Sequence, residues 1–207
     1  CPAPIPRPDP LGRHPVNRQP EAQITRYQRW LADTTGRRFD TYEDLWRWSV
    51  TDLRGFWGSI WRYFDIQSPT PYQTELVAPV MPGARWFPGA QVNYARQVLR
   101  HADAAHAAGH PAIVFQSERL AAPVAIGWPE LQRQVASFAL ALRGMGVGRG
   151  DRVCAYLPNT PHAIVAFLAC ASLGAVWSLC SPDMGPVAVL DRFRQIAPKV
   201  LIAVDGQ

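Results

Sequence analysis

Apolar and polar positions follow two different rhythms along this chain. Between residues 53 and 64 the rhythm is helical. Leu53, Phe56, Trp57, Ile60, Trp61 and Phe64 recur at steps of three, one, three, one and three, with Asp52, Arg54, Ser59, Arg62 and Asp65 around and between them. That spacing predicts an amphipathic helix with an aromatic face, read as core packing rather than a cofactor seat. A shorter helix is predicted over 24–31, with Ile24, Tyr27 and Leu31 on one side. Thr41 is placed to cap a helix that begins Tyr42-Glu43-Asp44, whose acids suit the positive end of the helix dipole. Residues 66–90 are proline-rich and read as an extended connection; 93–101 return to helix.

From residue 111 short apolar runs alternate with helical stretches. Strands are predicted at 112–115, 152–157, 175–179 and 200–204. Helices are predicted from Pro129-Glu130 (with Leu131, Val135, Phe138 and Leu142 on one face), over 162–173 and over 187–196. Strand–helix–strand units with right-handed crossovers give a parallel sheet with helices on its faces. Strands this apolar are expected to be covered on both sides. The expected fold class is therefore α/β, a helical leader followed by part of a doubly wound parallel sheet.

Composition narrows the function classes. The chain has 207 residues, 48% hydrophobic and 18% charged, as in folded proteins. Residues 1–20 carry prolines at 2, 4, 6, 8 and 10 and read as a disordered or polyproline-like tail, extending to residue 23. The net charge of +5 sits mainly in residues 1–38, where seven Arg face three acids. The body is nearly neutral, so a nucleic-acid partner is not expected. Residues 163–180 pass without a charge, but Gly174, Ser172 and Ser178 break the run, so a buried helix and strand are expected and no membrane span. Cys1, Cys154, Cys170 and Cys180 form no C-x-x-C pair and read as reduced thiols. No secretory signal is visible, which points to the cytoplasm. The first residue is Cys rather than Met and the last follow an apolar run, so the chain is expected to be a fragment.

Candidate chemistry is sparse. Gly144-Met-Gly-Val-Gly-Arg-Gly150 follows a predicted helix and precedes a strand, the reverse of a dinucleotide fingerprint, and reads as a helix stop. The histidines at 14, 101, 106, 110 and 162 form no plausible metal set; His106 and His110 share helical spacing but stand in an Ala/Gly-rich, loop-like stretch. No phosphate loop or nucleophile elbow is present. The single lysine, Lys199, precedes a strand. Two turns lie where parallel strands end and helices begin, at Pro158-Asn159-Thr160 and at Cys180-Ser181-Pro182-Asp183-Met184-Gly185. Open α/β sheets bind ligands there, although Asn159 and Asp183 also suit plain turn capping.

Two longer runs carry a family likeness. Gly148-Arg-Gly-Asp-Arg-Val-Cys-Ala-Tyr-Leu-Pro-Asn159 and Ala166-Phe-Leu-Ala-Cys-Ala-Ser-Leu-Gly-Ala-Val-Trp177 resemble the first sheet segments of adenylate-forming acyl-CoA synthetases. Phe56-Trp-Gly-Ser-Ile-Trp61, Met81-Pro-Gly-Ala-Arg-Trp-Phe-Pro-Gly-Ala90 with Asn93-Tyr94-Ala95, and Cys180-Ser-Pro-Asp183 with Asp191-Arg-Phe-Arg-Gln-Ile196 resemble the acetoacetyl-CoA synthetase branch.

The resemblance implies a ligase that activates acetoacetate with ATP and Mg2+ and passes the acyl group to CoA. It implies a helical region over 24–110 and the first part of an AMP-binding domain over 111–207. It also implies that the catalytic lysine and phosphate loop lie beyond residue 207, so the fragment is expected to be inactive and to hold no cofactor tightly. Ser181, Pro182 and Asp183 occupy the place where relatives form an edge of the CoA nucleotide pocket, although those relatives carry an aromatic residue and glycines there. A ligase of another short acid, or an interaction module using the Trp-rich helix, remain the alternatives.

Overall fold

Backbone capping and aromatic packing build the first part of the protein. The computed structural model describes residues 21–204; the proline-rich tail lies outside them, apart from its last three residues. The described residues form two compact units, 21–66 with Pro71–Ala90, and Gln67–Thr70 with 91–204.

In the first unit, α1 (Gln23–Thr35) is longer than its pattern predicts and ends at Gly36, whose left-handed φ of 72° closes the last turn. Helix α2 (Tyr42–Thr51) starts as expected, with Thr41 Oγ1 accepting the Asp44 N–H at 3.2 Å. Asp52 then begins α3 (Leu53–Tyr63) by accepting the Gly55 N–H at 3.0 Å. The aromatic residues of α3 divide between two surfaces. Phe56, Ile60 and Tyr63 join Tyr27, Leu31, Leu45 and Trp48 in one core. Trp61 packs instead on Phe87 and Tyr72, with ring centroids 4.6 and 5.3 Å away, and Trp57 on Trp86 at 5.8 Å. The proline-rich connection is therefore not wholly irregular: β1 (Leu76–Val77) pairs antiparallel with β2 (Arg85–Trp86) and presents these rings to α3.

The second unit opens with α4 (Tyr94–Leu99) and α5 (Ala102–Ala107), which pack on later helices of the same unit. His106 thus belongs to a helix, not a loop. β3 (Ile113–Phe115) pairs antiparallel with β4 (Val124–Ile126) and not with the parallel sheet. The eight-residue link between them is too short for a parallel crossover. Helix α6 (Trp128–Gly144) follows, burying Leu131, Val135 and Leu142. It stops in the glycine-rich turn, where Gly146 and Gly150 take positive φ.

Three parallel strands complete the unit: β5 (Arg152–Tyr156), β6 (Val176–Cys180) and β7 (Val200–Ala203), in the order β6-β5-β7. Helix α7 (Pro161–Leu173) joins the first pair, and α8 (Pro186–Ile196) carries the chain back across β5. Opposite crossover directions place α7 and α8 on opposite faces of the sheet. The side chains of β5 confirm it: Val153 packs with Val165, Leu168 and Cys170, whereas Cys154 packs with Val189 and Phe193. Among the described strands β5 is the most fully covered; β6 packs Trp177 on one face and Cys180 on the other, yet Val176, Leu179 and Leu201 remain 49%, 44% and 56% exposed on the two outer strands, against expectation. Two outer strands beside one central strand do not receive the flanking cover that β5 has. No helix among the described residues is long and apolar enough to cross a membrane.

Candidate functional site

The strand order reverses at β5, so the crevice beside its carboxyl end is a topological switch point. Two turns frame it, Pro158–Thr160 leading into α7 and Ser181–Gly185 leading into α8. Leu157 N–H reaches the Cys180 carbonyl at 3.3 Å, which carries the pairing of β5 and β6 up to the rim.

Neither helix is capped by a side chain at its start: Thr160 precedes α7 and Gly185 precedes α8 without such a bond. Pro161 and Pro186 fill the first helical positions, where a missing N–H costs nothing. Asp183 lies within the turn that leads into α8, as its residue type suits.

The structure brings Ser181, Pro182 and Asp183 together in one turn, closed by the Met184 N–H donating to the Ser181 carbonyl at 3.0 Å. Ser181 and Asp183 face solvent, while Pro182 and Met184 are half-buried. Met184 packs with Cys154, Cys180, Val189 and Phe193. With Met184 anchored inward, Asp183 lies on the exposed side of the turn.

Tyr156 is a residue that the pattern of the sequence does not single out. It ends β5 on the α8 side, two positions after Cys154, and its hydroxyl lies 2.8 Å from the Pro182 carbonyl and 2.9 Å from that of Met184. Alternation along the strand could have placed its ring on that face, but not its partners 26 and 28 residues away.

On the other face, Phe138, Leu157, Val165, Ala166 and Ile202 line an apolar hollow of about 440 Å3, with His162 at its edge. Lys199 stands at the opposite end of the sheet, before β7, bonded to the Gly146 carbonyl and to Asp151. Among the described residues no group of three or more His, Cys, Asp or Glu could hold a metal ion.

The AMP-binding enzyme family model matches residues 99–207, and the model of the acetyl-coenzyme A synthetase N-terminus matches 42–98. The acetoacetyl-CoA synthetase of Macaca fascicularis is 39% identical over 186 residues, which cover 89% of this chain and 27% of that protein. The acetoacetyl-coenzyme A synthetase of Rhizobium meliloti (strain 1021) is 38% identical over 194 residues, 94% of this chain and 28% of its own length. The solved acetoacetyl-CoA synthetase from Streptomyces lividans aligns with a TM-score of 0.83 at 47% identity, over 90% of this chain and 28% of that one. The chain therefore spans little more than a quarter of the relatives it matches.

Proposed function

Because this chain belongs to the AMP-binding enzyme family, we propose that it supplies the leading helical region (24–110) and the start of the adenylate-forming domain (111–207) of a cytoplasmic acetoacetate–CoA ligase. In the proposed reaction the acetoacetate carboxylate attacks the α-phosphorus of ATP and pyrophosphate leaves. The CoA thiol then attacks the acyl carbon of the mixed anhydride, loses its proton, and AMP leaves. The observation that carries this reading is the likeness to the Streptomyces lividans enzyme, which holds at 47% identity through 90% of the chain.

The residues described here serve as scaffold and as one edge of a binding site. The turn Ser181-Pro182-Asp183 stands at the switch point of the sheet and is read as the rim of the CoA nucleotide pocket. Ser181 and Asp183 are exposed there, which suits contact with a ligand that approaches from solvent. Asp183 repels the CoA phosphates unless its side chain stays turned from them. No residue in this chain is assigned a catalytic role or a place at Mg2+, which would accompany the ATP phosphates. Nucleic acid and membrane are not proposed partners.

The test is product formation by the full-length protein. Acetoacetyl-CoA and AMP are expected only when ATP, acetoacetate and CoA are all supplied, and the 207-residue chain alone is expected to form neither. A higher kcat/KM with acetate or another short acid would replace the substrate assignment. Turnover by the isolated chain would overturn its role as scaffold.

A second reading, an interaction module, draws on Trp57 and Phe64, which are 42% and 49% exposed. Trp61 does not support it, being packed against Phe87 and Tyr72.

A further inference from the structure

The turn at residues 181–185 is short and partly exposed, and apart from Met184, which packs on the cluster beneath, none of its own side chains holds it. Within it, Met184 N–H to Ser181 O is the one backbone bond that closes the loop. Pro182 has no N–H to contribute. Among the described residues, Tyr156 is the side chain that reaches its backbone, with the hydroxyl 2.8 and 2.9 Å from the carbonyls of Pro182 and Met184. A phenol carries a single proton, so the two carbonyls share one donor. Without it, two carbonyl oxygens would converge on the same half-buried space with nothing between them, which drives a turn to open.

The direction of this hold matters. In a trans peptide the carbonyl and the following N–H point to opposite sides. Drawing the carbonyls of 182 and 184 down onto Tyr156 therefore sends the N–H groups of Asp183 and Gly185 away from the phenol, toward the outer face of the turn. The same tether leaves Asp183 exposed and seats Met184 in the cluster beneath. Tyr156 itself is part of β5, which among the described residues is the strand of the parallel sheet with partners on both sides, so it transmits the position of the sheet to the turn.

We propose that Tyr156 is a positioning residue for CoA, holding the 181–185 turn so that its outward N–H groups meet the nucleotide. This rests on reading that turn as the edge of the CoA site. It assigns Tyr156 no part in adenylate formation, which needs no CoA.

The experiment separates the two half-reactions in the full-length enzyme. In Tyr156→Phe, which keeps the ring, acetoacetate-dependent exchange of pyrophosphate into ATP is expected to stay at the parent rate. The KM for CoA is expected to rise about five- to tenfold, the cost of one hydrogen bond, with kcat at saturating CoA retained. A parallel fall in exchange and thioester formation would mean a structural role only and overturn the proposal. Asp183→Lys tests the reading beneath it, since a cation on this turn lowers the KM for CoA wherever CoA phosphates pass nearby. If Asp183→Lys shifts that KM and Tyr156→Phe does not, the positioning role falls while the CoA site stands. If neither shifts it, both fall.

Discussion

Lys199 Nζ lies 3.0 Å from the Asp151 carboxylate and donates to the Gly146 carbonyl at 2.5 Å. Asp151 also accepts the Gly148 N–H at 2.8 Å. The only lysine of the chain thus fastens the glycine-rich turn after α6 to the amino end of β7, far from the carboxyl ends where the candidate site lies.

The Gly148 N–H, and after it Lys199, hold the Asp151 carboxyl below its ordinary value of 3.8. A depressed folded value contributes stability that is present above 3.8 and lost as pH falls through the folded value. Asp151→Asn is expected to melt earlier than the parent at pH 7, with the gap closing in acid. Thermal melts at pH 7 and pH 3 check it. An unchanged gap would show that the carboxylate charge does not matter to the turn.

Asn93 joins two helices of the second unit. Its Oδ1 accepts the Arg96 N–H at 3.1 Å and caps α4, while its Nδ2 donates to the carbonyls of Ala171 and Ser172 at the end of α7, 2.9 and 3.2 Å away. Asn93→Ala is expected to cost about 2 kcal/mol, one cap and one part-buried tie. Asn93→Asp keeps the cap but aims a carboxylate at the negative end of α7. It should be at least as damaging at pH 7 and recover as the carboxyl is protonated. Denaturant midpoints at pH 7 and pH 4 distinguish the pair.

Much of this arrangement was visible in residue patterns. The uncharged run from Ala163 to Cys180 resolves into a helix and a strand because Gly174 takes φ 70° and stops α7. Thr41 caps α2 because a β-region hydroxyl sits three residues before a free N–H. Pairing direction was less legible. Ile113–Phe115 is as apolar as a parallel strand, and only the short link to Val124 betrays its antiparallel partner. The aromatic stripe of α3 hid a second surface for the same reason: helical spacing places Trp57 and Trp61 on one side but does not name Trp86 and Phe87 as their partners. At the candidate site the turn residues could be read from strand–helix order, whereas the Tyr156 hydrogen bonds depend on tertiary pairing and could not.

The three cysteines of the second unit are predicted to be inert in the native state. Cys154, Cys170 and Cys180 are free and buried. Burial pushes the Cys170 thiol up to about 11, and burial followed by the neighbouring Cys180 raises Cys154. Iodoacetamide at pH 8 should leave all three unmodified by mass spectrometry until denaturant is added. Because the folded value of Cys170 is raised above 9.0, its contribution to stability is complete below that pH and is lost as pH rises through about 11.

Tyr27 and Ser59 tie α1 to α3 through a 2.5 Å hydrogen bond between their hydroxyls. Ser59, 1% exposed, donates to the Phe56 carbonyl at 2.6 Å, so it accepts from Tyr27. The two deletions are therefore unequal. Tyr27→Phe removes a donor but leaves Ser59 bonded to Phe56, at a cost of about 1 kcal/mol. Ser59→Ala strands a phenol proton among the rings of Phe56 and Tyr63, at about 2 kcal/mol. Once Tyr27 is Phe, the alanine at 59 leaves no donor unpaired, so the double variant should cost less than the two singles together. Denaturation followed by Trp fluorescence measures all four proteins; strict additivity would mean that the two hydroxyls do not interact.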